Sequence, residues 1–81
     1  MLNPTDAVTY SNRGRLRFHS CDRDGALADI NKALDLNPDL SDAYINRSIV
    51  RFGSGDKRGA IQDLDYAMAA QRKHQQALKT A

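Results

Sequence analysis

TYSNRGRLRF at residues 9–18 and AYINRSIVRF at residues 43–52 are two spellings of one phrase. Laid over each other they agree at Tyr10/Tyr44, Asn12/Asn46, Arg13/Arg47, Arg17/Arg51 and Phe18/Phe52. The offset is 34 residues, and it extends well past the phrase. It pairs Asp22 with Asp56, Gly25 with Gly59, Ala26 with Ala60, Asp29 with Asp63 and Ala33 with Ala67. Conservative pairs fill the gaps, among them Gly14/Ser48, Leu27/Ile61, Ile30/Leu64 and Leu34/Met68. The same offset carries Leu36-Asn37-Pro38 back onto Leu2-Asn3-Pro4. The sequence therefore reads as the tail of one unit, one whole unit, and a second that is nearly complete.

Each unit reads as two helices. Tyr10, Gly14, Arg17 and Phe18 are spaced by three or four residues, which places them on one helical side. Ser20-Cys21-Asp22 and Gly53-Ser54-Gly55-Asp56 are turn signals. Beyond the first turn, Ala26, Leu27, Ile30, Ala33 and Leu34 form an apolar stripe at helical spacing. Asn37-Pro38 ends that helix, because proline disfavours helical geometry in the residue before it. The pattern predicts an all-α fold of antiparallel helix-turn-helix repeats, with helices over about 6–19, 24–36, 41–53 and 58–72.

A helical hairpin recurring every 34 residues has the spacing of the tetratricopeptide repeat, and the chain resembles that family. Tyr10 and Tyr44 stand in its aromatic slot, and Gly14 and Ser48 in the small-residue slot where paired helices approach closely. Ala26, Ala33, Ala60 and Ala67 match its second-helix alanines, and Pro38 matches its terminal proline. The run Asn-Arg-Gly/Ser, Arg-Phe, Asp, Gly-Ala-Leu/Ile is similar to a version common in bacteria, especially cyanobacteria. The resemblance implies one domain over residues 1–81, with a first repeat at about 7–40 and a second at about 41–74. Arg17 and Arg51 depart from it where many repeats carry tyrosine, Cys21 replaces the turn glycine that Gly55 supplies, and Arg72 fills a proline slot. QRKHQQALKTA at the end carries no stop signal. It extends the fourth helix as a polar cap, or residues 75–81 begin a truncated third unit with Leu78 in the aromatic slot.

Composition bounds the function classes. Eighty-one residues make one small domain near the lower size limit for a single core. No stretch approaches the roughly 20 apolar residues that span a bilayer, and the opening MLNPTDA has no secretion-signal pattern, so a cytoplasmic location is expected. One cysteine forms no internal disulfide. A formal charge of +2 is too small to argue for nucleic acid by itself. All 10 acidic residues are aspartate, a residue that favours helix starts and turns.

In the resembled family the first helix of each unit lines a concave groove that binds peptide or protein segments. The matching positions are Val8, Ser11, Asn12, Arg15, Phe18 and His19, then Asp42, Ile45, Asn46, Ile49 and Phe52. Asn12 and Asn46 occupy the slot whose amide bonds a bound peptide's backbone, or else they bond a neighbouring helix. Phe18, Ile45, Ile49 and Phe52 form an apolar groove floor, unless the two phenylalanines are core. A family subgroup clamps acidic chaperone termini with basic residues. Its slots here hold Ser11 and Arg15 in one register and Asp42 and Asn46 in the other, so neither supplies the charges.

Arg13/Arg17 and Arg47/Arg51 are i,i+4 pairs, and Asp22/Asp56 and Asp29/Asp63 recur in register with them. A ladder of ion pairs between stacked helices is the simplest reading, with a phosphate-binding patch that adds Arg15 as the alternative and nucleic-acid binding through Arg13, Arg15, Arg17, Arg72 and Lys73 as a weaker one. His19 and Cys21 are too few ligands for a metal site. There is no glutamate, no glycine-rich phosphate loop and no Ser/His/Asp set in a recognisable context, so neither catalysis nor a cofactor is expected. The sequence points to a non-catalytic module binding a protein or peptide partner in the groove. The alternative is an assembly module, a homo-oligomer formed through exposed end faces by stacking or helix exchange, because about three such repeats are normally needed for stability.

Overall fold

The computed structural model describes residues 6–80, with side chains described for residues 6–75. Four helices follow in order: α1 (Ala7–His19), α2 (Arg23–Leu36), α3 (Ser41–Gly53) and α4 (Lys57–Thr80). The first three match the predicted bounds within one residue. The fourth runs eight residues past its predicted end, to Thr80, so the polar tail continues the helix instead of opening a new hairpin. Leu2, Asn3 and Pro4, the repeat's opening echo, lie outside the described residues. Among the described residues no helix is long and apolar enough to cross a membrane.

Aspartate starts three of the helices. The Asp6 carboxylate accepts from Thr9 N and from the Thr9 hydroxyl, which holds the Asp6 carboxyl below its usual range. Asp22 accepts from Gly25 N and Asp56 from Gly59 N, both at 2.9 Å. Each such cap satisfies an amide that the first helical turn cannot satisfy itself, typically contributing about 1 kcal/mol. This is where the glutamate-free composition leads: three of the four helices are opened by a local carboxylate, while α3 starts after Leu40 with no side-chain cap.

The helices pair as two hairpins, α1 on α2 and α3 on α4. α3 also packs across α1 and α2, so it joins the two units. Among the described residues α4 packs on α3 alone. The core is built from small side chains: Ala26, Ile30, Ala33, Ala43 and Val50 are fully buried, with Ala60, Ala67 and Ala70 buried along α4. Small residues let helix axes come close. A Cβ at Gly14 would lie 2.7 Å from Ile30 Cγ1 and 2.9 Å from the Ala26 carbonyl oxygen, closer than side-chain contacts allow.

The two turns inside the hairpins use the same geometry with different residues. Gly55 has φ +87°, which costs glycine nothing, while Cys21 has φ +65° at the equivalent place. A left-handed conformation costs a residue with a Cβ roughly 1–2 kcal/mol. Cys21 is exposed and makes no disulfide, so no packing compensates. Cys21→Gly should therefore raise stability by about 0.5–1 kcal/mol, after allowance for glycine's larger chain entropy. Urea denaturation of the two proteins checks this, and an unchanged or lowered midpoint would contradict it.

Candidate functional site

The paired arginines turn inward onto aspartate. Arg13 donates from Nε and Nη2 to the two Asp29 carboxylate oxygens, both at 2.7 Å, and Arg17 Nε lies 3.4 Å from Asp29 Oδ2. The second hairpin repeats this grip. Arg47 Nη2 reaches Asp63 Oδ1 at 2.8 Å and Arg51 Nη1 reaches Asp63 Oδ2 at 3.0 Å. The Asp63 side chain is 0 % exposed. Each leading arginine also lies over the preceding tyrosine, Arg13 at 5.7 Å from the Tyr10 ring centroid and Arg47 at 5.5 Å from that of Tyr44.

The expected ion-pair ladder is thus present, with two refinements. Asp29 and Asp63 carry it, whereas Asp22 and Asp56 are helix caps. The pairs also lie within hairpins, first helix to second. Among the described residues, Arg47 is the one of the four arginines that reaches across units, its Nη1 donating to Asn31 Oδ1 at 2.9 Å. Hydrogen bonds from Arg13 hold the Asp29 carboxyl below its ordinary pKa against the opposing effect of burial, and the same contact raises Arg13.

The groove positions divide. Ser11 and Asn46 are buried and face each other: Asn46 Nδ2 donates to Ser11 Oγ at 2.8 Å and to the Ser11 carbonyl at 3.3 Å. Between them they fasten α1 to α3, the neighbouring-helix alternative that the sequence left open for Asn46. Phe18 is half-buried against the core, under the end of α3, where a Cβ at Gly53 would come within 2.6 Å of its ring. It is accordingly a packing residue. Val8, Asn12, Arg15, His19, Asp42, Ile49 and Phe52 are exposed, and Ile45 is half-buried.

An apolar surface lies beside the expected groove. Phe52 is 64 % exposed, and on α4 Ile61, Leu64 and Met68 are exposed too. Their partners under the 34-residue offset are Phe18, Leu27, Ile30 and Leu34. Those four belong to or pack against the buried core that α3 closes. Leu64 is 45 % exposed where Ile30 is 0 %. The second hairpin therefore displays the face that the first hairpin buries. The repeat held the signal for these α4 residues, because a unit with nothing stacked on it must leave its copy of the internal joint open.

A shallow cleft elsewhere lies between the α2–α3 turn and α4, lined by Asn37, Leu40, Ala70 and His74, with Lys73 Nζ 3.3 Å from Asp39 across it. Ser41 also lines it, and among the described residues no hydrogen bond joins Ser41 to His74. Among the described residues no three metal-ligating side chains cluster.

Asp63→Asn would leave two inward arginines without a counter-charge, and should cost about 3 kcal/mol. That lowers the melting temperature by more than about 10 °C in a chain of this size, and a near-neutral result would free the arginines for ligand binding. The depressed Asp29 carboxyl adds a pH signature. Its folded value lies below its unfolded value, so its contribution is full above the unfolded pKa of about 3.9 and is lost as pH falls through the folded value. Stability should consequently fall more steeply as pH drops below about 4 in the parent protein than in Asp29→Asn. Parallel slopes in urea titrations would contradict this. No protein-family model matches the chain, and no curated protein does either, so its function rests on geometry.

Proposed function

We propose that the chain is a non-catalytic protein-interaction module of the tetratricopeptide kind, docking a helical protein segment on the open face of its second hairpin. The observation that carries this is the pairing of Phe52, Ile61, Leu64 and Met68 with the buried set Phe18, Leu27, Ile30 and Leu34. A surface built like an internal helix-packing face is suited to a helix, since ridges and grooves of the same spacing interlock. Phe52 is shared between this face and the expected concave groove. A segment lying on α3 would therefore also pass Asp42 and the exposed parts of the first hairpin. Nucleic acid has less support, because, of Arg13, Arg15, Arg17, Arg72 and Lys73, the first and third hold Asp29 and Lys73 lies against Asp39.

The fold suggests its own probe. α3 covers the first hairpin, so a peptide of residues 41–53, locked as a helix by a solvent-side lactam, should settle on the equivalent face of the second. The lock is needed because so short a helix is marginal alone. Binding at about 0.1–1 mM is expected, the range where roughly 4–5 kcal/mol of contact survives the cost of association. Methyl and aromatic NMR shifts should centre on Phe52, Ile61, Leu64 and Met68 and vanish in a folded Leu64→Glu variant. Shifts centred on Val8, Asn12 and Arg15, or none at millimolar peptide, would overturn the reading.

A further inference from the structure

We infer that the occupant of the open face is a second copy of this chain, stacked front to back through its α1. This rests on the docking reading above and names the partner. α3 meets the first hairpin through Ala43 and Val50 in the core, Asn46 on Ser11, Arg47 on Asn31, and Gly53 beneath Phe18. The 34-residue offset maps Ala43, Asn46, Arg47, Val50 and Gly53 onto Thr9, Asn12, Arg13, Leu16 and His19 of α1. Asn12, Leu16 and His19 are exposed, and Thr9 and Arg13 are half-buried. Thus the molecule carries both halves of its internal joint, one at each end: an α3-like face on α1 and a first-hairpin-like face on α3 and α4.

Charge favours this occupant over an arbitrary helix. Arg47 crosses the internal joint from Nη1 to the neutral Asn31. In the second hairpin the Asn31 position is Asp65, a carboxylate in no ion pair among the described residues. Arg13 spends Nε and Nη2 on Asp29, as Arg47 spends Nε and Nη2 on Asp63, and Nη1 remains to cross the new joint. A cation-to-amide contact inside the molecule becomes a cation-to-carboxylate contact between molecules, which adds the attraction of opposite charges to the hydrogen bond. Leu16 replaces Val50 as the apolar centre of the contact.

Two positions make the outer joint weaker than the inner one. His19 stands where Gly53 gives room to Phe18, so the unpacked Phe52 ring must turn aside. Ile45 stands where Ser11 accepts from Asn46, so Asn12 loses a side-chain acceptor. Association is therefore concentration-dependent and not constitutive. The contact is heterologous, so it propagates along a stack and does not close as a two-fold dimer.

Leu16→Glu blocks the front and Leu64→Glu the back, and both residues are exposed enough for the fold to survive, which circular dichroism verifies. Sedimentation of the parent chain from about 10 µM to 1 mM should show a mass that climbs with concentration past the dimer. Each variant alone should stay monomeric, while their equimolar mixture should stop at the dimer. Asp65→Arg should weaken the parent's association about tenfold. A Leu16→Glu protein that still dimerises would mean a back-to-back contact and overturn the inference, as would a mixture that stays monomeric. A monomeric parent that still binds the 41–53 peptide through Leu64 would sink the second-copy inference and leave the docking reading standing. Loss of both would remove the docking reading itself.

Discussion

A carboxylate shut away from water and held by two arginines is the constraint on which each hairpin depends. Among the described residues, six of the eight buried apolar side chains are alanine, so burial supplies closeness more than it supplies energy. Alanine faces slide over one another with little penalty, and they do not by themselves choose a register. Asp63 does choose one. Its two oxygens must meet Arg47 and Arg51, one helical turn apart on α3, and only one alignment of α4 satisfies both. Asp29 sets α1 on α2 in the same way. Net stability from such buried pairs is small, since desolvation offsets most of the attraction, but misalignment leaves a charge unpaired and is costly. The arginines that depart from the resembled family's tyrosine slot are therefore among the positions that fix the hairpin angle.

Much of this was legible from the 34-residue echo. Helix bounds followed from turn residues and aspartate caps, and the arginine–aspartate pairing followed from their shared period. The echo could not say which aspartates do the pairing, because Asp22 and Asp29 recur equally well. Helix phase decides it: Asp22 precedes the first turn and spends its carboxylate on the nearby Gly25 amide, whereas Asp29 sits mid-helix with only the neighbouring helix to face. The length of α4 was likewise open in the sequence, since no proline or glycine between Arg72 and Thr80 terminates a helix.

The site residues were harder because a periodic sequence does not make a periodic environment. Asn12 and Asn46 are the same residue in the same slot, yet one is exposed and the other is buried on Ser11. Phe18 and Phe52 diverge in the same way. In each pair the less exposed member is the one with another hairpin against that side of it. A slot in a repeat therefore has no fixed role; its role depends on which neighbours stack on it.

The differences between equivalent positions then become informative. At the internal joint the receiving face offers a hydroxyl at Ser11 and a neutral amide at Asn31. The corresponding places on the open face hold Ile45 and Asp65. One change removes a polar acceptor and the other adds a full charge, while the apolar positions stay apolar: Leu27 becomes Ile61, Ile30 becomes Leu64 and Leu34 becomes Met68. A surface meant only for water has no need to keep three large apolar residues at helix-packing spacing, because exposed positions tolerate polar residues freely. A surface that keeps them, drops a hydroxyl and gains a carboxylate fits a helix that brings an apolar side chain and a cation. Leu16 and Arg13 stand three residues apart on α1, at the slots where α3 presents Val50 and Arg47 to the first hairpin.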